Sequence, residues 1–204
     1  GRRMPIMIAV VILLAFILLM AVFRSVVVPL KAAVMNLLSI GAAYGVLVVV
    51  FQWGWLDGFL GFQSTGAIDT LTPPLVLAVV FGLSMDYEVF LLSRMKEVWD
   101  TTGDNTEAVA RGLERSGRIV TSAALIVVVV AGSFAFADIV LIKALGLGVA
   151  IAVALDATVV RALLVPATMR LLGRWNWWMP ASLERFVANR LPASEAEAEA
   201  AVAR

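Results

Sequence analysis

Apolar residues in this chain fall into five long runs separated by short polar stretches, at 6–23, 32–51, 75–93, 119–137 and 144–166. At about 1.5 Å per residue each run is long enough, as a helix, to cross a hydrocarbon layer of about 30 Å. The pattern predicts an all-α fold, a polytopic membrane helix bundle of five transmembrane helices within 4–174. Arg24 ends the first run, and the short link 25–31, closing on Lys31, pairs the first two helices antiparallel. Pro73 and Pro74 suit the first turn of the third helix. Residues 94–118 read as a cytoplasmic amphipathic loop, with a short helix opened by Asp104 and Glu107 as a capping-box pair and running to Glu114. Residues 175–204 read as a cytoplasmic C-terminal tail, with an amphipathic piece over 182–191 and an unpacked Ala/Glu-rich end. Within the runs, Asn36 and Ser39 suit hydrogen bonds to a neighbouring helix. Ala131, Gly132 and Ser133, and the stripes Gly146/Ala150/Ala154 and Gly148/Ala152/Asp156, mark places where helices can approach closely.

Composition names the solvent. With 62% hydrophobic and 15% charged residues and a mean hydropathy of +0.97, the chain belongs in a lipid bilayer, and a net charge of +1 gives no reason to expect nucleic acid. It contains no Cys and no His. Disulfide and thiolate chemistry are therefore excluded, no metal set suggests itself, and any proton carrier has to be a carboxylate. Basic residues orient the bundle. Placing the Arg24–Lys31 link on the cytoplasmic side puts Arg24, Lys31, Arg94, Lys96, Arg111, Arg115, Arg118, Arg170 and Arg174 there, against Arg2, Arg3 and Lys143 opposite. Residues 52–73 carry no Lys or Arg, and Trp53 and Trp55 suit an interfacial belt facing away from the cytoplasm. Five spans so oriented leave the first residue outside with nothing to carry it across, so the chain reads as a fragment preceded by at least one further span.

The stretch Gly82-Leu83-Ser84-Met85-Asp86-Tyr87-Glu88-Val89-Phe90 breaks the third run with two acids and a phenol. Asp86 lies about 16 Å from the start of that run, close to the bilayer midplane. A charge there costs about 2.5–3.5 kcal/mol on insertion scales, so the protein has to supply a partner, water or a proton. Burial in low dielectric disfavours the charged form of a carboxylate, which makes Asp86 a candidate proton carrier. Val79, Gly82, Leu83, Phe90 and Ser93 share its face, with Gly82 forming a small-residue notch, whereas Glu88 lies about 200° round the helix. Glu88 reads as a residue that snorkels or pairs near the cytoplasm, with a relay role as the alternative. Asp156, about 18 Å into a span of the same direction, shares the level of Asp86 and either titrates or is locked by a partner. Arg161, about 7.5 Å deeper, reads as a neighbour of Glu88 or of the lipid headgroups.

Phe23-Arg24-Ser25 with Pro29-Leu30-Lys31, the Gly82–Leu91 block, Gly146-Leu147-Gly148 through Leu155-Asp156-Ala157-Thr158-Val159-Val160-Arg161, and Asn176-Trp177-Trp178 before Pro180 resemble the MMPL family of the resistance-nodulation-division (RND) superfamily. The resemblance covers residues 4–180. It implies the last five helices of a twelve-helix transporter in the plasma (inner) membrane of bacteria, driven by the proton gradient, with no other cofactor, and not an enzyme. Its cargo would be a lipid or other hydrophobic molecule. Its partners would be the remaining transmembrane half and the periplasmic domains. The resemblance implies a proton relay at Asp86 and Tyr87, supported by Phe90 as a plug, Asp156 and Glu88. Three other readings compete. One is a membrane assembly module with structural carboxylates. Another is a protein-export motor subunit of the same superfamily, which would lack the Asp-Tyr-Glu-Val-Phe block. The third is an intramembrane aspartyl protease, whose Gly-x-Gly-Asp motif neither Asp86 nor Asp156 matches.

Overall fold

The computed structural model describes residues 4–64, 66–180 and Leu183. Among these the regular structure is helical throughout. Helix α1 spans Met4–Phe23 and α2 Val27–Leu47, the latter continued by a π turn over Val48–Gln52. A short α3, Asp57–Leu60, precedes the long α4, Thr72–Thr102, and α5, Asn105–Ser133, which closes with a 3-10 turn over Phe134–Phe136. Helix α6, Val140–Leu155, runs through a π segment, Asp156–Leu164, into α7, Val165–Leu172, and a 3-10 turn over Gly173–Trp177. Four of these rods, Val27–Gln52, Thr72–Thr102, Asn105–Phe136 and Val140–Trp177, are long and apolar enough to cross a membrane, and α1 adds a fifth apolar helix of 20 residues. The chain is a polytopic membrane helix bundle.

Helix α6 is the hub, packed on α2, α4 and α5, while α1 lies at the edge against α2 and α4. Where helices touch, they do so over small residues, because lipid gives apolar surfaces no reason to prefer one another and close backbone approach supplies the packing instead. A Cβ on Gly146 would stand 2.4 Å from Phe134 Cβ and 2.5 Å from the Ala131 carbonyl oxygen, and one on Gly112 would stand 2.4 Å from Met95 Cγ. The expected close approach around Ala131 is thus the α5–α6 crossing. The outer surface carries Leu13, Ile17, Leu38, Leu125, Ile126, Val129 and Leu163, all exposed. Such a surface is stable facing hydrocarbon.

Two boundaries differ from expectation. Residues 94–118 form no separate loop and no separate helix. Helix α4 continues to Thr102 and α5 starts at Asn105, so two long rods project together beyond the apolar runs. The turn between them is Gly103, at φ +66°, and Asp104, whose Oδ1 accepts from the N–H groups of Thr106 and Glu107 at 2.7 and 3.2 Å. The cap is where it was expected, but the Glu107 side chain pairs with Arg111 at 2.6 Å. The link between α1 and α2 is also shorter than 25–31. Ser25 Oγ accepts from Val27 and Val28 N–H at 3.2 Å each, so α2 begins four residues before Lys31 and draws that lysine into the bundle. The amphipathic piece expected over 182–191 and the tail end beyond it lie outside the described residues, Leu183 apart.

Candidate functional site

Successive residues of a helix turn by about 100°, so α4 sets its polar side chains on opposite faces. Ser84 and Glu88, four apart, are buried against the bundle, whereas Gly82 and Asp86, also four apart, are exposed on its outside.

The interior face builds a charged cluster with α2 and the π segment. Asp156 Oδ2 receives Arg161 Nε at 2.9 Å and Nη2 at 2.7 Å, and Oδ1 receives Ser39 Oγ at 3.2 Å. Arg161 Nη2 donates to the Ser84 carbonyl at 2.6 Å, and Ser84 Oγ donates to Asn36 Oδ1 at 2.5 Å while lying 3.1 Å from Asp156 Oδ2. Asp156 and Arg161 are each only 5% exposed. Asn36 and Ser39 therefore bond neighbouring helices as expected, but what they hold in place is an ion pair. Of the two places expected for Arg161, beside Glu88 or at the headgroups, the structure gives the first, with Asp156 as its ion-pair partner. Five residues along an α-helix it would lie about 140° round from Asp156; the wider π turn over Asp156–Leu164 brings it back beside its acid. No periodicity in the sequence announces that turn. Ser84, which the sequence reading passed over, supplies both its hydroxyl and its carbonyl.

Tyr87 links the cluster to the outer face. Its ring lies under the Arg161 guanidinium at 5.0 Å, a cation–π distance, and its neighbour in the chain is Asp86. Asp86 forms no hydrogen bond or ion pair among the described residues. Phe90, one turn on, is half-buried, with the Arg94 guanidinium 5.6 Å from its ring centre. Glu88 does not snorkel. It is 7% exposed, on the face that turns away from lipid, with Arg161, Asp156 and Lys31 as its charged neighbours and no ion pair within 4 Å among the described residues. Among the described residues no three acidic side chains gather where a metal could sit.

A scan against family models matches residues 1–193 to the MMPL family. The chain belongs to the MMPL family. Among curated proteins, this MMPL chain is 50% identical over 188 residues to the heme uptake protein MmpL11 of Mycobacterium tuberculosis, covering 92% of the chain and 19% of that protein. It is 50% identical over 183 residues to the mycolic acid-containing lipids exporter MmpL11 of Mycolicibacterium smegmatis, 90% of the chain and 19% of the relative. It is 45% identical over 181 residues to the trehalose monomycolate exporter MmpL3 of Mycobacterium tuberculosis, 87% of the chain and again 19% of the relative. The MMPL chain thus spans about a fifth of the length of the curated relatives it matches.

Proposed function

We propose that this MMPL chain supplies one half of the proton-relay bundle of a carrier that exports lipid or another hydrophobic substrate across the bacterial plasma membrane, driven by the proton-motive force. One observation carries the reading. Asp86 is an ionisable side chain, unpartnered among the described residues, on the outer face of a helix whose exposed neighbours Leu75, Val79 and Gly82 are apolar or small. A carboxylate cannot stay charged against lipid tails, so that face serves a second helical half, and Asp86 takes up and releases a proton where the halves meet. The cargo class follows two relatives whose names are those of lipid exporters. Orientation follows the basic residues, with the α4–α5 tip and Arg174 on the cytoplasmic side.

In this reading Asp86 carries the proton and Tyr87 passes its effect inward, since its ring touches Arg161. Moving one charge through 100 mV is worth about 2.3 kcal/mol, enough to shift a two-state equilibrium of helix positions. The Asp156–Arg161 pair is the fixed point against which α4 moves, Glu88 lies at the inner end of the path, and Phe90 excludes water one turn below Asp86. The test is Asp86→Asn in the full-length protein, reconstituted in vesicles with an imposed pH gradient. Transport falls to background while abundance stays at the wild-type level; wild-type transport by this variant rejects the relay.

A further inference from the structure

At the end of the bundle that carries most of the basic residues, the Gly173–Trp177 turn folds back over the α1–α2 link. Asn176, fully buried, fastens it: Ser25 Oγ donates to the Asn176 carbonyl at 2.6 Å, and Lys31 Nζ to its Oδ1 at 2.5 Å. Asn176 Nδ2 donates to the carbonyls of Met169 and Gly173 at 2.6 and 2.7 Å, and Val26 N–H to the Trp178 carbonyl at 3.2 Å. Between this strap and α4 lies a cavity of about 650 Å³, within the usual span of ligand pockets, about 300–1,000 Å³.

Its lining is Arg24, Lys96 and Arg174 with Trp99, Trp175, Trp177, Trp178 and Met179. Among the described residues no carboxylate lines it. Asp100 pairs with Lys96 at 2.5 Å from outside the lining, Lys96 stands 5.3 Å from the Trp177 ring centre, and Trp99 and Trp177 stack at 5.9 Å. Arg174 is exposed and makes no ion pair or hydrogen bond among the described residues. Arg24 reaches the cavity because the chain reverses at its own backbone, at φ +47°, a left-handed conformation uncommon outside glycine.

Depth narrows the ligand. The apolar run of α4 ends at Ser93, so Lys96 and Trp99 stand about 5–9 Å beyond the hydrocarbon, within the headgroup layer. Leu172 and Val22, each two residues before an arginine of the lining, face outward where acyl chains lie. We infer that this cavity binds the phosphate headgroup of an anionic phospholipid, with the guanidinium and ammonium groups on the phosphate and the indoles against the glycerol and first methylenes. A soluble phosphate would satisfy the cations and leave four indoles unexplained. The lipid is a resident of the near leaflet and not cargo. The inference does not depend on the proton relay.

The test uses full-length protein stripped of lipid in detergent and mixed with equal amounts of phosphatidylglycerol and phosphatidylcholine of matched chains, with retained lipid read by native mass spectrometry. Phosphatidylglycerol is retained over phosphatidylcholine by about tenfold or more, and Arg174→Gln lowers that preference about fivefold. Arg170→Gln, an exposed charge one turn away and outside the lining, leaves it unchanged. If Arg174→Gln does not accumulate, Lys96→Gln carries the same expectation. Equal retention of the two lipids overturns the inference, as does an equal loss of preference in Arg170→Gln. So does tryptophan fluorescence that saturates with inorganic phosphate in a protein that retains no phosphatidylglycerol.

Discussion

Asp156 and Asp86 are both aspartates at the level of Ser84 and Gly82, yet their surroundings assign them opposite work. Asp156 is saturated, with its charge cancelled by Arg161 and its oxygens bonded to Ser39, Ser84 and the guanidinium. Removing one partner of such a pair strands the other charge, which costs about 3–5 kcal/mol. Asp156→Asn and Arg161→Gln are therefore expected to lower the unfolding midpoint in detergent by several degrees and to reduce abundance. An unchanged midpoint in both would show the pair to be dispensable for folding. Asp86 has nothing to lose in the described structure, so Asp86→Asn should stay within about 0.5 kcal/mol of wild type in the same measurement. A separation of the two aspartates, one in stability and the other in transport, is what the geometry predicts.

Helices in lipid are held by closeness, and glycine decides where closeness is possible. Gly146→Ala drives a methyl into the backbone of the α5 end, the Ala131 carbonyl included, where no rotamer change relieves it. Overpacking of this kind costs about 1–3 kcal/mol. Gly82→Ala meets nothing within 4 Å. We expect Gly146→Ala to lose thermal stability and Gly82→Ala to keep it, while Gly82→Ala impairs transport by filling the notch beside Asp86. Full transport by Gly82→Ala would mean that no second half packs closely on this face. The strap of the C-terminal turn is a second element-scale device. Asn176→Ala leaves the half-buried Lys31 without its amide acceptor and the Met169 and Gly173 carbonyls without their amide donor, a loss of about 1–3 kcal/mol, measurable as a lower midpoint in detergent.

Across the whole molecule, α4 and α5 rise together about 14 Å past the apolar run that ends at Ser93, counting nine residues of helix to Thr102. The chain has no Cys, so single cysteines report topology directly. Thr102→Cys should react with a membrane-impermeant maleimide only in inside-out vesicles, and Gly58→Cys only in right-side-out ones. The opposite pattern would reverse the orientation and place the tryptophan-lined cavity in the outer leaflet. The apolar runs alone determined that the chain crosses a membrane and which stretch of each long helix is apolar enough to do so, because hydrophobic length is a property of the residues in order; where α5 begins, fourteen residues before its run, they did not show. The residue types alone also singled out Asp86, Tyr87, Glu88 and Asp156, because so few ionisable groups interrupt those runs. Tertiary structure alone decided which acid is bound and which is bare. A π turn brings Arg161 back to Asp156, the facing of α4 buries Glu88 and turns Asp86 outward, and the fold of residues 173–178 over the first link gathers three cations from distant segments. Each of these depends on the rotation of one helix about its axis relative to its neighbours, and that rotation is set by packing between segments.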